Sequence, residues 1–255
     1  MPEPGGADLR MLRRFETAGV PAEPLRLALR AYACGRARGE FEAPILTLVD
    51  YARSSLERRL WVLDLAEGSV RFHELVAHGR ESGLERAQRF SNLLGSRQSS
   101  LGLFRTGEAY EGRHGYSLRL VGLEPGTNDR ALERGIVVHG AAYATAEFAT
   151  RHGRLGRSWG CPTLDPAVSQ DVIDTIRGGT ALFAYFPDAD WSESSPYLHC
   201  EAQIASSRSP RQPMRPAARL TGNAISLHRS ILASAVAVAM RTGCGVDAAG
   251  PLCGP

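Results

Sequence analysis

The chain has 255 residues, 43% of them hydrophobic and 22% charged, the balance of an ordinary globular protein long enough to bury a full core. Its formal net charge is +3, and all 30 basic residues are Arg, interspersed with Asp and Glu along most of the chain. No clustered excess of positive charge marks a phosphate-binding face, so composition argues against a nucleic-acid partner.

Residues Met1 to Gly19 carry Asp8, Arg10, Arg13 and Arg14 without the run of about seven apolar residues that a secretory signal needs, so no signal peptide is read there. Asp8 is a candidate N-cap for a first helix with Leu9, Leu12 and Phe15 on one face, closed by Gly19, and Ala22, Leu25, Leu29 and Tyr32 give the spacing of a second. From Ile45 the pattern turns to strands: Ile45 to Val49, Arg59 to Leu63 and Val70 to His73, with Glu67-Gly68 as a turn. Leu101 to Phe104, Tyr116 to Val121, Ile136 to His139 and Ala181 to Phe186 read likewise, separated by connections such as Glu124-Pro125-Gly126-Thr127-Asn128. A short helix is expected after Thr145. Another is expected over Pro166 to Ile176, where Val168, Val172 and Ile176 fall four apart and Gly178-Gly179 ends it.

The expected organisation is therefore a short helical lead over residues 1–43, a mainly β (α+β) domain over 44–198 and a tail over 199–255. The tail holds no aromatic residue and six Arg against Glu201 and Asp247, which equips it poorly to bury a core, so it is read as disordered or loosely helical. Its apolar stretch from Ile231 to Met240, bounded by Arg229 and Arg241, is shorter than the roughly 20 residues a membrane span needs. Five cysteines (Cys34, Cys161, Cys200, Cys244, Cys253) form an odd set with no CxxC pair. Neither a disulfide framework nor a zinc knuckle is read from them, and at least one thiol is left over.

The chemistry concentrates in His139-Gly140-Ala141-Ala142-Tyr143 and in the loop Gly153-Arg154-Leu155-Gly156-Arg157-Ser158-Trp159-Gly160-Cys161-Pro162. A strand ends in a His, and a Gly-rich loop delivers a Cys. The thiolate is the reactive form of Cys, so a nucleophilic Cys needs a neighbouring base to lower its pKa from about 8.5, and a His supplies one if the fold brings the two together. Gly160 suits close approach of a substrate backbone, and backbone N–H groups near Cys161 could stabilise an oxyanion by roughly 2.7–4 kcal/mol each, Pro162 excepted. By itself a Cys 22 residues after a His is a weak sign, because buried unreactive cysteines are common.

The pattern H-G-x-x-Y followed by G-R-L-G-R-S-W-G-C-P resembles the murein L,D-transpeptidase catalytic-domain branch of the YkuD-type L,D-transpeptidase superfamily. Thr47-Leu48-Val49-Asp50-Tyr51, Arg59-Leu60-Trp61-Val62-Leu63-Asp64, Val76-Ala77-His78-Gly79, Phe90-Ser91-Asn92, the stretch Ser96 to Gly102, Gly112 to Leu118 and Asn128-Asp129 are similar to that branch in the same order, over roughly residues 45–197.

The resemblance implies a mixed β sandwich or barrel with a few short helices, and two-step acyl transfer on peptidoglycan stem peptides without metal or cofactor. Cys161 would attack the carbonyl of the third stem residue, an L-centred diamino acid, and expel the terminal D-Ala, with His139 as base and then acid. Gly140 would orient the His through its carbonyl. The thioester would go to an amine, giving a cross-link, or to water, giving L,D-carboxypeptidase activity; a hydrolytic cysteine peptidase and a non-catalytic wall-binding module remain the alternatives. A periplasmic or cell-envelope location is also implied. Many members follow the Cys with a hydrophobic residue and an Arg, whereas Pro162-Thr163 stand here, so substrate carboxylate recognition is expected from Arg157 or Arg154.

Among the remaining residues, Trp159 is read as a pocket wall, and Ser158, Tyr143 and His114 as further substrate-binding candidates. His78 and His114 each precede a Gly near a strand end, where they either line the cleft or satisfy backbone groups. His78, His114, His139 and Cys161 lack the paired local spacing of a zinc site, so no metal is expected. Ser99, Ser100, Ser117, Asn128 and Arg134 are read as structural.

Overall fold

A computed structural model of the protein describes residues 6–200. Most of the expected tail, including Ile231 to Met240, Cys244 and Cys253, lies outside the described residues. Eight strands form one sheet: β1 (Ile45–Asp50), β2 (Leu60–Asp64), β3 (Ser69–Glu74), β4 (Gly102–Gly112), β5 (Gly115–Gly122), β6 (Val137–Gly140), β7 (Thr163–Leu164) and β8 (Ala181–Tyr185), in the order β3-β2-β1-β8-β4-β5-β6-β7. β1·β8 and β6·β7 are parallel and the other pairs antiparallel. The chain leaving β3 returns to the far edge, where Ala77 bridges Thr163 and Gly79 bridges Ser158, so the sheet closes into a nearly complete barrel. This is the mainly β architecture expected, with five α-helices among the described residues.

The central strands β2 and β8 are buried at every position, and β1 at every position after Ile45. In β1 and β8 one face looks into the barrel and the other is covered by helix, which is why they read as continuous apolar runs rather than alternating ones. Helix α2 (Ala22–Ala37) lays Leu25, Ala28 and Ala31 on β1 and β8, and Phe15 of α1 (Gly6–Thr17) joins the same core. The first helix starts ahead of Asp8. Helix α3 (Ala146–His152) is capped by Thr145, whose hydroxyl accepts from Phe148 N. Helix α4 (Pro166–Ile176) has Pro166 in its first turn and Asp165 as N-cap, accepting from Ala167 N, and packs Val172, Ile173 and Ile176 beneath β6 and its neighbours.

Three features depart from the sequence reading. The strand expected over Leu101 to Phe104 continues to Gly112 across a bulge between Thr106 and Ala109, as one arm of a hairpin that projects from the barrel. Its outer half is largely exposed, so no apolar alternation marks it. The strand β7 and the helix α5 (Ala189–Ser194) are too short for a periodic pattern. Finally, Cys34 at the end of α2 is disulfide-bonded to Cys200, contrary to the expectation of no disulfide. The partners are 166 residues apart in sequence, so no local spacing could reveal the bridge; only the folding of α2 beside the chain end puts their Cα atoms 5.7 Å apart.

A buried cation holds the closing segment. Arg59 is fully buried; its Nε and Nη2 donate to Val76 O at 3.1 and 2.8 Å and its Nη1 donates to Arg53 O at 2.8 Å. Nη2 also lies 2.8 Å from His78 Nδ1, with the guanidinium over the Tyr51 ring. A guanidinium only donates, so His78 Nδ1 is an acceptor and the imidazole is neutral. Burial first, and the Arg59 charge second, push the His78 pKa down to about 3.

Two outcomes follow from this architecture. Reduction of Cys34–Cys200 releases a closed loop of 166 residues and is expected to lower stability by roughly 2–5 kcal/mol, seen as a lower urea midpoint in dithiothreitol, with no further effect of the reductant on a Cys34→Ser/Cys200→Ser variant. Because an unfolded His titrates near 6.5 and His78 only near 3, the unfolded chain binds the extra proton first as pH falls. His78 therefore contributes a loss of about 2 kcal/mol between pH 7.5 and 5. Urea titrations at the two pH values should show it, and His78→Gln, which keeps an acceptor for Arg59, should remove that part of the slope.

Candidate active site

His139 is the third residue of β6, paired with Ser117 on β5 and Thr163 on β7, and only 3% exposed. Its Nδ1 lies 3.1 Å from the carbonyl of Gly140. A carbonyl only accepts, so Nδ1 carries the proton and the lone pair is on Nε2. Nε2 faces Thr163 Oγ1 at 3.1 Å. Tyr143 Oη lies 3.2 Å from the same Thr163 oxygen, which is also 3.3 Å from Cys161 O. The Tyr143 hydroxyl donates to Thr163 and Nδ1–H to Gly140, while the single Thr163 hydroxyl hydrogen is shared between two acceptors, Nε2 and Cys161 O. Burial pushes the His139 pKa down to about 4, against the Gly140 carbonyl, which raises it, and with a smaller lowering contribution from His114. The imidazole is thus neutral near pH 7.

His114 reaches this group from the tip of the β4–β5 hairpin, where Gly115, at φ 73°, closes the turn in a conformation that suits Gly. Its ring centroid is 4.8 Å from that of His139, tilted by 31°. The histidine is exposed while its neighbour is buried.

Cys161 sits two residues before β7, partly exposed and outside any disulfide. Its Sγ–H donates to Gly135 O at 3.8 Å. The turn that presents it is held from within: Ser158 Oγ donates to Cys161 O at 2.7 Å and accepts Gly160 N at 3.1 Å. Ser158 is therefore buried and its hydroxyl is occupied by the turn, as is the Gly160 N–H. Gly160 stands at φ 127°, and a Cβ there would come within 2.7 Å of Gln98 O, so both conformation and space require Gly before the thiol.

A second wall is the segment Ser96 to Ser100. Ser99 Oγ accepts Gly79 N and donates to Gly160 O, both at 3.0 Å. Arg134 clamps this segment: Nη1 donates to Ser91 O and Ser100 Oγ, and Nη2 to Ser96 Oγ and Gln98 O. Its guanidinium also stands close enough to Cys161 for charge to be felt; burial lowers the Arg134 pKa while the thiolate form of Cys161 raises it. Arg157 Nη1 donates to Arg80 O and Gly83 O, and Arg154 Nη1 to Leu155 O. Trp159 faces Arg97, whose guanidinium carbon is 4.4 Å from the ring centroid.

The structure thus brings Cys161, His139, Gly140, Tyr143 and Ser158 into one hydrogen-bonded group through Thr163, with His114 above the imidazole and Trp159 on the turn. Thr163 and Arg97 were not singled out from the sequence. The position of Thr163 two residues after the Cys gave no sign of its role, since only the β6·β7 pairing points its side chain at Nε2. Among the described residues no group of three or more His, Cys, Asp or Glu side chains could hold a metal ion, and no helix is long and apolar enough to cross a membrane.

No curated protein matches the sequence. Among solved structures, the chain is similar to an L,D-transpeptidase from Mycobacterium smegmatis (15% identity over 56% of this chain and 59% of that one, TM-score 0.37). It is also similar to the helical cell shape determining protein Pgp2 from Campylobacter jejuni (12%, 66% and 58%, TM-score 0.41) and to Mycobacterium tuberculosis L,D-transpeptidase 1 (14%, 56% and 62%, TM-score 0.33). The chain thus spans about three fifths of the length of these proteins. The L,D-transpeptidase catalytic domain model matches residues 16–185, beginning at the end of α1 and so taking in α2 as well as the barrel. On that match, which covers about two thirds of the sequence, the chain belongs to the L,D-transpeptidase catalytic domain family.

Proposed function

We propose that this protein is a murein L,D-transpeptidase acting on peptidoglycan stem peptides in the cell envelope, with Cys161 as nucleophile and His139 as its general base. The observation that carries the reading is the fixed tautomer of His139. Its Nδ1–H is held by Gly140 O, so the basic lone pair is on Nε2, on the side where β7 and the Cys161 turn adjoin β6.

The steps follow from that arrangement. Cys161 turns from Gly135 O toward Nε2, which takes the thiol proton. The thiolate attacks the carbonyl of the diamino acid, the C–N bond to the terminal D-Ala breaks, and the imidazolium returns its proton to the leaving amine. An acceptor amine then attacks the thioester, gives its proton to Nε2, and restores the thiol. An imidazolium with a pKa near 4 is a strong acid, suited to protonating the amine as it leaves. The Arg134 charge supports the thiolate during attack. Thr163 and Tyr143 hold the imidazole edge in place between steps. The Cys34–Cys200 bridge fits an oxidising compartment such as the envelope.

Mass spectrometry after incubation with a disaccharide tetrapeptide tests the reading. A covalent acyl adduct with released D-Ala is expected for the intact protein and neither for Cys161→Ala; a folded intact protein that gives no adduct and no D-Ala with either diamino-acid variant of the stem would be a binding module instead. Cross-linked dimer as product distinguishes a transferase from a hydrolase, which yields tripeptide. Since the neutral imidazole is the active base and forms above about pH 4, the acid limb of kcat/KM should lie near 4 rather than near the ordinary His value of about 6.5. Thr163→Val is expected to lower kcat by about tenfold or more through loss of imidazole orientation, with Thr163→Ser restoring it; equal activity of the Val and Ser variants would remove Thr163 from the scheme.

A further inference from the structure

Arg97 combines four properties. It is the only residue other than Gly with positive φ among the described residues, at 55°. A side chain held in this region carries a backbone cost that the surrounding structure has to overcome, and such residues concentrate where a ligand is gripped. Its segment runs along the nucleophile turn, since Gln98 O abuts Gly160 and Ser99 Oγ donates to Gly160 O. The residue is exposed. Its guanidinium stacks on Trp159, two residues from Cys161, and makes no hydrogen bond or ion pair among the described residues.

The stacking decides what the cation is available for. A guanidinium over an aromatic ring uses its face, while its five N–H donors lie in the plane of the group and point away from the ring. Arg97 is thus oriented and charged, with its hydrogen-bonding edge open. The other arginines around the turn are engaged differently: Arg134 donates to four acceptors, and Arg157 Nη1 to two carbonyls. Glu81, whose N–H donates to Arg97 O, pairs its own carboxylate with Arg80.

We propose that Arg97, held by Trp159, is the receptor for a carboxylate of the donor peptide and so determines which stem peptides the site accepts. The planar fork matches a carboxylate bidentately, whereas a carboxamide would meet donor with donor at one of the two positions. The inference rests on the donor being a stem peptide. Two carboxylates on such a donor could serve: that of the terminal D-residue, or a second one on the diamino acid.

Binding measured without turnover keeps this claim separate from the catalytic one. Calorimetry with the full-length Cys161→Ala protein would compare the tetrapeptide with two analogues, one amidated at the C-terminus and one amidated on the diamino acid. One of the two amides is expected to bind about tenfold or more weakly, which identifies the carboxylate. Arg97→Gln in that background should bind the acid as weakly as the discriminated amide and cease to distinguish them. Arg97→Gly, which suits the positive φ, should lose the same binding while its thermal midpoint is unchanged or raised, so that the loss is not one of folding. Equal affinity for all three peptides, or discrimination undiminished in Arg97→Gln, would overturn the proposal. Adduct formation by the intact protein is scored separately and bears on Cys161 alone.

Discussion

Two residues of parallel pairing, His139-Gly140 of β6 against Thr163-Leu164 of β7, are the constraint from which the candidate site is built. The pairing places the Thr163 hydroxyl on Nε2 of the imidazole and, two residues upstream, the thiol of Cys161 at the barrel rim. The same Thr163 accepts the closing segment through its carbonyl, which takes Ala77 N at 2.8 Å. Barrel closure and the position of Cys161 are therefore not independent. A shift of one residue in this register would turn Thr163 away from the histidine, because successive strand side chains face opposite ways.

Burial gives the site its acid–base character. The imidazole is neutral at rest because the barrel end excludes water, and its tautomer is set by the adjacent carbonyl rather than by a carboxylate. A carboxylate partner would raise the imidazole pKa toward stable ion-pair formation; a carbonyl orients without adding charge. The nearby cation, Arg134, donates to four oxygen acceptors of the segment beside the Cys161 turn. The same strategy recurs at Arg59, where backbone carbonyls and a neutral His78 surround a buried guanidinium. In both places a cation fixes loops that border the turn carrying Cys161.

The Gly-rich loop illustrates how local and tertiary demands combine. Gly160 is required twice, by its φ of 127° and by Gln98 O where a Cβ would lie. Ser158 closes the turn on itself. The result is a thiol presented on a short turn whose backbone is fixed on both sides, by Ser158 within the loop and by Ser99 across from it.

The apolar runs of β1, β2 and β8, the helix from Pro166, and the motif around His139 and Cys161 were legible along the chain, because each is encoded by near neighbours through periodicity or glycine placement. The sequence did not disclose β7, the outer half of β4, the contacts of Thr163 and Arg97, or the Cys34–Cys200 bridge. These depend on segments distant in sequence: Thr163 meets His139 across a sheet pairing, Arg97 meets Trp159 on another loop, and Cys34 has its partner 166 residues away. Local interactions leave marks of fixed spacing that can be read along the chain. Contacts made only when barrel closure brings distant segments together leave none, and tertiary structure alone decided them.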